Sequence, residues 1–228
     1  IVMAKELGVQ LVDIEQIQTH PTVHPETQTM YTEAVRGNGA ILINKEGKRF
    51  VNELLTRDVV SEAILAQTDE LSYILFDQNV RDGLSAIEKY ISAGIIYESD
   101  TIEGLAEQIG VDAAALKETM ATYAEYQASG TDAEFGRESM EEPLTNAKYY
   151  AGLCTPAIHH TMGGVEINTN AEVIDTNGNV IPGLYAAGET AFEGLFGTEY
   201  PGCGVAISAG SYYGRVAGEN AANEAKAN

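Results

Sequence analysis

The order of apolar patterns along this 228-residue chain predicts an α+β fold, in which a helical lobe is inserted into a split domain formed by the two ends of the chain. Short alternating apolar runs, which are typical of strands, occur before residue 51 and return from residue 149 onward. Between them, apolar residues recur at the three- and four-residue spacing of helices. We therefore expect the two ends to share one split domain and the middle to form a separate lobe.

The first 18 residues are expected to form the end of a helix followed by a strand. Gly8 stands where a helix commonly needs a left-handed cap, and the apolar run at residues 11–17 follows it. The chain opens inside this helix, without the basic region and apolar core of a secretion signal. We therefore expect the natural protein to contain residues upstream of Ile1.

The middle of the chain begins with a loop and a hairpin. Residues 19–30 are rich in Thr, Pro and His and are expected to form the loop. Strands at residues 40–43 and 49–51, around a turn at residues 45–48, form the predicted β-hairpin.

Helices are predicted to dominate the rest of the lobe, and we interpret their apolar pattern as core packing. They are expected at residues 57–67, 77–93, 101–109 and 113–129, with a strand at residues 72–76 and a polar, acidic loop at residues 130–146.

Strand patterns bounded by turn signals return in the last third of the chain. The segments VEINTN, EVIDTNGNVI and GLYAAGE alternate, and the Asn177-Gly178 dipeptide predicts a tight hairpin turn. A final helix is predicted at residues 204–225, and its Gly210, Gly214 and Gly218 share one face because they are spaced four apart. Such a bare face packs against a sheet, or against another backbone or a flat ligand.

Charge and cysteine content exclude several classes of function. Thirteen Lys and Arg residues oppose 34 Asp and Glu residues, so the formal net charge is −21 and nucleic acid is not an expected partner. Cys154 and Cys203 belong to no CxxC motif or Cys/His cluster, which argues against a disulfide scaffold, a zinc site or a haem attachment motif in this segment. Since no apolar run approaches the ~18 residues of a membrane span, we expect a soluble protein and leave its compartment open.

Four short stretches combine side chains that could hold and protonate a carboxylate. His20 lies in QTHPT, and Arg57 lies in NELLTRD. The other two stretches are YTEAVRGNGA, with Thr32, Glu33 and Arg36, and AIHHTMGG, with His159 and His160.

Each stretch also has an ordinary structural explanation. Glu33 and Arg36 could form a surface ion pair, and Arg57 could belong to a charged helix cap. His20 could be a loop residue, because Pro21 follows it. The two adjacent histidines could be half of a metal site, but no third ligand stands at a metal-binding spacing, so we assign no metal ligands.

Taken together, the four stretches favour a site for an α,β-unsaturated carboxylate. Reduction of such a molecule needs donors to the carboxylate, a proton source near one alkene carbon and a hydride source at the other. His20, Thr32, Arg57 and His159 suit the first two tasks. Because no amino-acid side chain supplies hydride, a redox cofactor is required.

Six segments resemble the FAD-dependent fumarate reductase and flavocytochrome c family, to which urocanate reductases are related. They are HPT, TEAVRGNGAILIN, GKRFVNE, TRD, HHTMGG and GLYAAGE, in the family's order and spacing, and the similarity extends to the last helix. The resemblance, which includes the wider succinate dehydrogenase superfamily, implies a flavoprotein oxidoreductase in electron transport. It implies FAD as cofactor, an electron-donor protein or domain as partner, and a small unsaturated carboxylate as substrate.

The resemblance also divides the chain into domains. Residues 1–15 and 161–228 resemble parts of an FAD-binding α/β domain whose N-terminal portion is missing, and residues 16–160 resemble the substrate-capping domain of the family. The implied fold class is α+β, with a helical and hairpin capping domain inserted into an incomplete FAD-binding α/β domain.

The family's functional residues carry over to matching positions. Arg57 resembles the arginine that delivers the proton, with Glu33 and Arg36 as its relay to solvent. The positions resembling substrate contacts are His20, Thr32, His159 and Tyr200. The positions resembling flavin contacts are Gly188, Glu189, Gly202, Gly204, Ala206 and Ile207. Backbone carbonyls near residues 161–163 and Glu189 resemble a sodium site.

Two departures from the family pattern bear on substrate and cofactor. The dicarboxylate reductases of this family carry a second substrate arginine after the AAGE motif, whereas here no arginine occurs between Glu189 and Arg215 and Tyr200 takes its place. A phenol cannot replace a bidentate guanidinium–carboxylate pair, so a mono-carboxylate or aryl enoate is favoured over fumarate. No GxGxxG motif follows a strand, although the AMP half of FAD would normally need one.

Two alternative functions stay open. The YPGCG stretch resembles the tyrosine-glycine turn of 3-ketosteroid dehydrogenases, which indicates an oxidoreductase acting on enones. The chain could instead be a non-catalytic unit, a cap with a partial FAD domain that holds no flavin.

Overall fold

The computed structural model describes residues 1–140, 144–194, 196, 200–202 and 204–227. The chain divides into two compact units, the first made of Ile1–Gln18 with Ile158–Asn228 and the second of Thr19–Ala157. Assignment of residues 1–15 and 161–228 to an FAD-binding domain and of residues 16–160 to a capping domain stays a prediction, because compactness does not reveal what a unit binds.

Strands and helices alternate along the chain. The strands are β1 (Leu11–Val12), β2 (Ile17–Val23), β3 (Ile41–Ile43), β4 (Ser72–Asp77), β5 (Tyr97–Ser99), β6 (Tyr149–Thr161), β7 (Gly164–Glu166), β8 (Glu172–Ile174), β9 (Val180–Tyr185) and β10 (Ala191–Phe192). The helices are α1 (Val2–Glu6), α2 (Ala34–Gly37), α3 (Arg57–Leu65), α4 (Gln78–Gly83), α5 (Ile87–Ser92), α6 (Ile102–Ile109), α7 (Ala113–Ser129) and α8 (Val205–Ala227), with 3₁₀ turns at Thr68–Glu70 and Gly188–Thr190.

The largest sheet has the strand order β2-β6-β4-β3, and β5 also pairs with β6. β4 is antiparallel to both β3 and β6, with Ile74 opposite Leu42 on one side and Gly152 on the other. Every residue of β3 and β4 is buried, so apolar side chains cover both faces of the sheet centre. Gly152 is required there, because a Cβ would lie 2.9 Å from the ring of Tyr31.

Capping residues fix the helices that cover this sheet. Thr101 and Asp112 accept hydrogen bonds from the first turns of α6 and α7, and each of these helices ends at a left-handed glycine, Gly110 or Gly130. α7 buries an apolar stripe at four- and three-residue spacing, Leu116, Met120 and Tyr123.

The first unit contains a three-stranded sheet, β1-β7-β10, and the hairpin β8-β9. Val165 on β7 pairs with Leu11 and Ala191, and it packs in a small core with Val9 and Val173. The hairpin turns at Gly178, whose φ is +83°, as the Asn-Gly signal predicts.

The bare face of α8 is only partly covered. A Cβ at Gly210 would lie 3.2 Å from the Cα of Gly188, so another backbone lies against this position. At Gly214 and Gly218 a Cβ would meet no atom of the described residues within 4 Å. Within the described part of α8, Ala209 alone is buried.

Most predicted elements are confirmed, with some differences at their ends. The predicted strand at residues 72–76 is β4, and the predicted helices at residues 57–67, 101–109, 113–129 and 204–225 are α3, α6, α7 and α8. The predicted loop at residues 130–146 contains no helix or strand in its described part, and residues 141–143 lie outside the described residues.

The prediction for residues 11–30 was wrong in two respects. The single strand at residues 11–17 is interrupted after β1, where Asp13 adopts a φ of +49°. Residues 19–23, predicted as loop, belong to β2. Pro21 is tolerated there because β2 lies at the edge of its sheet, where a missing N–H breaks no ladder on the open side. His20 therefore lies within a strand.

His159 and His160 lie within β6, whose 13 residues pair with more than one strand. Two further predictions need correction. The helix at residues 77–93 is broken into α4 and α5 by the extended backbone of Leu84. The second hairpin strand is reduced to a bridge between Ile43 and Arg49.

In the described part of the chain, no helix combines the length and the apolar character needed to cross a bilayer.

Candidate functional site

The second unit brings predicted proton-relay residues together around α2 and the start of α3. Glu33 immediately precedes α2, and Arg57 is the first residue of α3. Arg57 donates from Nε and Nη2 to Glu33 Oε2, at 2.9 and 2.7 Å. The Glu33 side chain is 45% exposed and that of Arg57 is 20% exposed, so the pair reaches solvent at its carboxylate end.

Glu33 is held in its ionised form by its neighbours. Partial burial raises the pKa of its carboxyl, but hydrogen bonds from Arg57 and the charges of Arg57, Arg36 and His20 outweigh burial and lower the pKa below its ordinary value. Arg36 and His20 are therefore close enough to act on the same carboxylate. This arrangement confirms no catalytic role, but it places the three predicted relay members and one predicted substrate contact in one cluster.

Arg36 is a buried member of this cluster. Its residue is 1% exposed, and its Nη1 donates to the backbone oxygen of Glu53 at 2.6 Å. Its Nε and Nη2 are buried and have no hydrogen-bond partner among the residues that the structure describes. Burial lowers the pKa of Arg36, against the opposing effect of Glu33, so its proton is held less firmly than that of a solvated arginine.

Two predicted substrate contacts lie beside the relay. His20 is buried, and its Nδ1 accepts from the backbone N–H of Thr22 at 3.4 Å, which fixes the orientation of the ring. The backbone N–H of Thr32 donates to the phenol oxygen of Tyr90 at 2.9 Å. The Tyr90 ring meets Tyr31 edge-on, with centroids 5.1 Å apart, so Thr32 is fixed by a packed aromatic pair.

The first unit holds the remaining predicted substrate contacts, His159 and Tyr200. His159 Nδ1 lies 3.1 Å from the side-chain oxygen of Gln18. The Tyr200 ring stacks on Phe196, with centroids 5.5 Å apart, and its phenol oxygen accepts from the N–H of Ala206 at 3.0 Å. The ring of His160 meets both of these aromatic rings edge-on.

The predicted flavin contacts also lie in the first unit. Glu189 accepts hydrogen bonds from the backbone N–H and the hydroxyl of Thr161, and the backbone bond is the main reason that its pKa is lowered. Gly188 donates its N–H to Glu193, whose own pKa is raised by burial. The sodium site near residues 161–163 stays a prediction, and Cys203 in the following GCGVAIS turn lies outside the described residues.

Comparison with known proteins gives the family. Residues 1–207 match the profile described as FAD binding domain. The chain belongs to this FAD-binding domain family. Its structure resembles that of the 3-ketosteroid delta1-dehydrogenase from Sterolibacterium denitrificans, with a TM-score of 0.74 and 26% identity over 98% of this chain and 46% of that one. The mixed α/β fold is thus that of FAD-binding flavoproteins.

Two curated relatives are reductases. The chain is 49% identical to the fumarate reductase (cytochrome) of Shewanella frigidimarina, over 99% of its own length and 39% of the relative. It is 38% identical to the urocanate reductase of Eggerthella lenta, over 97% of its length and 38% of the relative. The chain therefore spans about two fifths of the length of these relatives.

The residues at the start of α8 fit the edge of a flavin. Gly202 and Gly204 have positive φ, and a Cβ at either would meet no described atom within 4 Å, so their backbone is open to a flat group. Ile207 is 79% exposed on the first turn of this 23-residue helix, whose positive dipole end suits an electron-rich ring edge. The assignment of these residues as flavin contacts stays a prediction.

Sequence reasoning found the motif residues and missed those that support them. Tyr90 and Arg137 lie in no quoted motif, and Glu53 lies in GKRFVNE and NELLTRD but was given no role. Tyr90 holds Thr32, and the other two contact Arg36. A sequence signal existed only for Glu53, which lies four residues after Arg49, a spacing at which charged side chains can pair. The convergence of His20, Arg57 and His159 on one cavity stays a prediction, since His159 belongs to the other unit.

Proposed function

We propose that the protein is an FAD-dependent oxidoreductase that reduces the C=C bond of an α,β-unsaturated carboxylate. The contact between Arg57 and Glu33, backed by buried Arg36, carries this proposal. A simple surface ion pair does not explain the nearby buried arginine, whose Nε and Nη2 meet no acceptor among the described residues. A proton relay explains it, because a relay needs a further residue that passes a proton to the pair.

In this proposal Arg57 is the proton donor. FAD, when bound and reduced, supplies hydride to the β-carbon of the alkene. Arg57 gives one proton to the α-carbon as negative charge develops there, and so becomes neutral. Glu33, which its lowered pKa keeps ionised between turnovers, accepts a proton from Arg36 and passes it to the neutral Arg57. Arg36 regains its proton from solvent, so all three residues end as they began.

The remaining residues bind and orient. His20, Thr32 and His159 hold the substrate carboxylate or carbonyl. The flavin is held by Gly188, Glu189, Gly202, Gly204, Ala206 and Ile207. An electron-donor protein or domain reduces the flavin.

The substrate we favour is a mono-carboxylate whose other part is a planar group such as an aromatic ring. Tyr200 supplies a ring face stacked on Phe196, in the place of the family's second substrate arginine. A phenol cannot form the bidentate pair that a second carboxylate would need. The urocanate reductase relative acts on a substrate of the favoured kind, because urocanate joins an imidazole ring to one acrylate.

Substitution of Arg57 by Ala tests the reaction. We expect kcat for alkene reduction in the flavin-loaded protein to fall by about 10²- to 10⁴-fold, which is the usual contribution of a general acid. The visible flavin absorbance should stay unchanged, because Arg57 is not among the flavin contacts. Near-normal turnover would exclude Arg57 as proton donor.

Arg215→Ala is the matched control for this experiment. Arg215 lies on α8, its side chain is 70% exposed, and its ion pair with Glu219 is a surface contact. Removing the same group there should change kcat by less than about twofold, because exposed pairs contribute little.

A second candidate function is oxidoreduction of an enone. The structural likeness to the 3-ketosteroid dehydrogenase and the YPGCG stretch favour it. Turnover of a 3-ketosteroid with no turnover of acrylates would select it. A purified protein without flavin absorbance would instead favour the non-catalytic alternative.

A further inference from the structure

A buried network of charged side chains lies in the second unit beside Arg36. Glu53 is fully buried and accepts from Arg49 at both oxygens, at 2.9 Å each, and from Arg137 Nη1 at 3.1 Å. Asp132 accepts from the other side of Arg49 at 3.0 Å. Two carboxylates and two guanidinium groups thus neutralise one another away from water.

Arg36 is attached to this network at two points. Its Nη1 donates to the backbone oxygen of Glu53 at 2.6 Å. Its own backbone oxygen accepts from Arg137 Nη2 at 2.8 Å. Arg137 also donates to the backbone oxygens of Ala40 and Ser139, at 2.9 Å each, so its guanidinium is held on every side.

The stability of the fold does not by itself explain these buried charged contacts. A buried ion network is weak evidence for stability, because taking the charges out of water offsets much of their mutual attraction. Apolar side chains would fill the same space at lower cost. A guanidinium that binds three separate backbone oxygens instead fixes their relative positions.

We propose that Arg137 is a positioning residue for Arg36 and that it acts with Glu53 to hold the relay arginine within reach of Glu33. Arg137 fixes the backbone of Arg36, and the Glu53 backbone fixes its guanidinium. Loss of either contact lets Arg36 move from Glu33, and proton return to Arg57 slows. This inference rests on the proposed function.

The conservative pair Arg137→Lys and Arg49→Lys tests it in the flavin-loaded protein. Both changes keep the charge and remove hydrogen bonds to the Glu53 carboxylate, but only Arg137 touches Arg36. For Arg137→Lys we expect kcat to fall by about 10- to 100-fold, because small misplacements of catalytic groups cost this much. KM should change less than about twofold, and the solvent deuterium isotope effect on kcat should rise.

Arg49→Lys should lower the melting temperature to a similar extent and leave kcat and its isotope effect unchanged. Equal losses of kcat in both variants, or an unchanged isotope effect in Arg137→Lys, would overturn the proposal. If Arg137→Lys does not fold, Glu53→Asp replaces it in the test, because this change keeps the charge and withdraws the carboxylate from Arg137. We then expect Glu53→Asp to show the lower kcat, the nearly unchanged KM and the higher solvent isotope effect.

Amide hydrogen exchange separates this inference from the proposed function. The oxygen of Arg36 also accepts from the N–H of Gly39 at 3.2 Å, so loosening Arg36 should speed exchange in a peptide covering residues 34–40. We expect faster exchange there in Arg137→Lys than in Arg49→Lys. This measurement needs no turnover: a wild-type protein inactive on alkenes would refute the function alone, whereas equal exchange would refute the positioning role alone.

Discussion

Tyr200 has a structural task besides any contact with substrate. Its phenol oxygen accepts from the N–H of Ala206 in the first turn of α8, an orphan donor that a helix N-terminus must satisfy. Its ring stacks on Phe196. A change at this position therefore alters both the ligand-facing surface and the start of the helix.

Tyr200→Arg is expected to shift substrate preference toward dicarboxylates. A guanidinium can pair with a second carboxylate in a bidentate manner, so kcat/KM for fumarate should rise relative to that for a mono-carboxylate. The lost helix contact should lower stability by about 1 kcal/mol. Tyr200→Phe, which removes only the hydroxyl, is the control and should lose similar stability with no shift in preference. An unchanged ratio in Tyr200→Arg would show that this residue does not face the substrate carboxylate.

Sequence motifs drew attention to residues that lie near one another in the fold. Glu33, Arg36 and Arg57 were predicted to form a relay, which stays a prediction, and the structure places them in contact or in electrostatic reach. Arg137 was not predicted, because its partners Ala40 and Arg36 stand 97 and 101 residues earlier in the chain. No local pattern reports a contact over that distance.

At the scale of elements, β2 shows how tertiary context overrides local signals. Thr, Pro and His residues predicted a loop, but pairing with β6 makes the segment an edge strand. Helices with capping residues at both ends, such as α6 and α7, were instead predicted to within one residue. Helix caps can be predicted because they depend on a few neighbouring residues. The position of a strand within its sheet depends on distant residues and cannot be predicted from the local sequence.

The glycine face of α8 gives a test by paired substitutions. Alanine normally stabilises a helix by up to about 1 kcal/mol relative to glycine. At Gly214 a Cβ would meet no described atom within 4 Å, so we expect this gain as a higher melting temperature. At Gly210 a Cβ would lie 3.2 Å from Gly188, so the gain should vanish or reverse. Equal shifts for Gly210→Ala and Gly214→Ala in thermal denaturation would contradict the contact.

At the scale of the whole molecule, acid stability should depend on Asp132. Burial raises the pKa of this carboxyl, but hydrogen bonds from Arg49 and from backbone N–H groups outweigh burial and lower it. A group whose pKa is lower in the folded state stabilises the fold above its unfolded pKa, about 3.9. That contribution is lost as the pH falls through the folded-state pKa.

Asp132→Asn should therefore destabilise the protein by about 3 kcal/mol at neutral pH, because it leaves Arg49 underpaired in the interior. The difference from wild type in free energy of unfolding should shrink as the pH falls below about 4. Chemical denaturation at a series of pH values measures it. Asp69→Asn, an exposed change, is the control and should stay within about 1 kcal/mol throughout. A constant difference for Asp132→Asn would show that its charge does not contribute.

The alternation of strands and helices predicted a split organisation from sequence, and the structure has two compact units, one of them formed by the two ends of the chain. What each unit binds could not be derived from pattern. That information came from short motifs.

The long sequence separations within the Arg49–Glu53–Asp132–Arg137 network have a consequence for folding kinetics. Residues 83 and 84 positions apart must meet before these bonds can form, and we expect such closures to come late because the loop entropy is lost first. Contacts that form after the transition state barely affect the folding rate but slow the reverse reaction. We therefore expect the network to slow the unfolding of the second unit without speeding its folding.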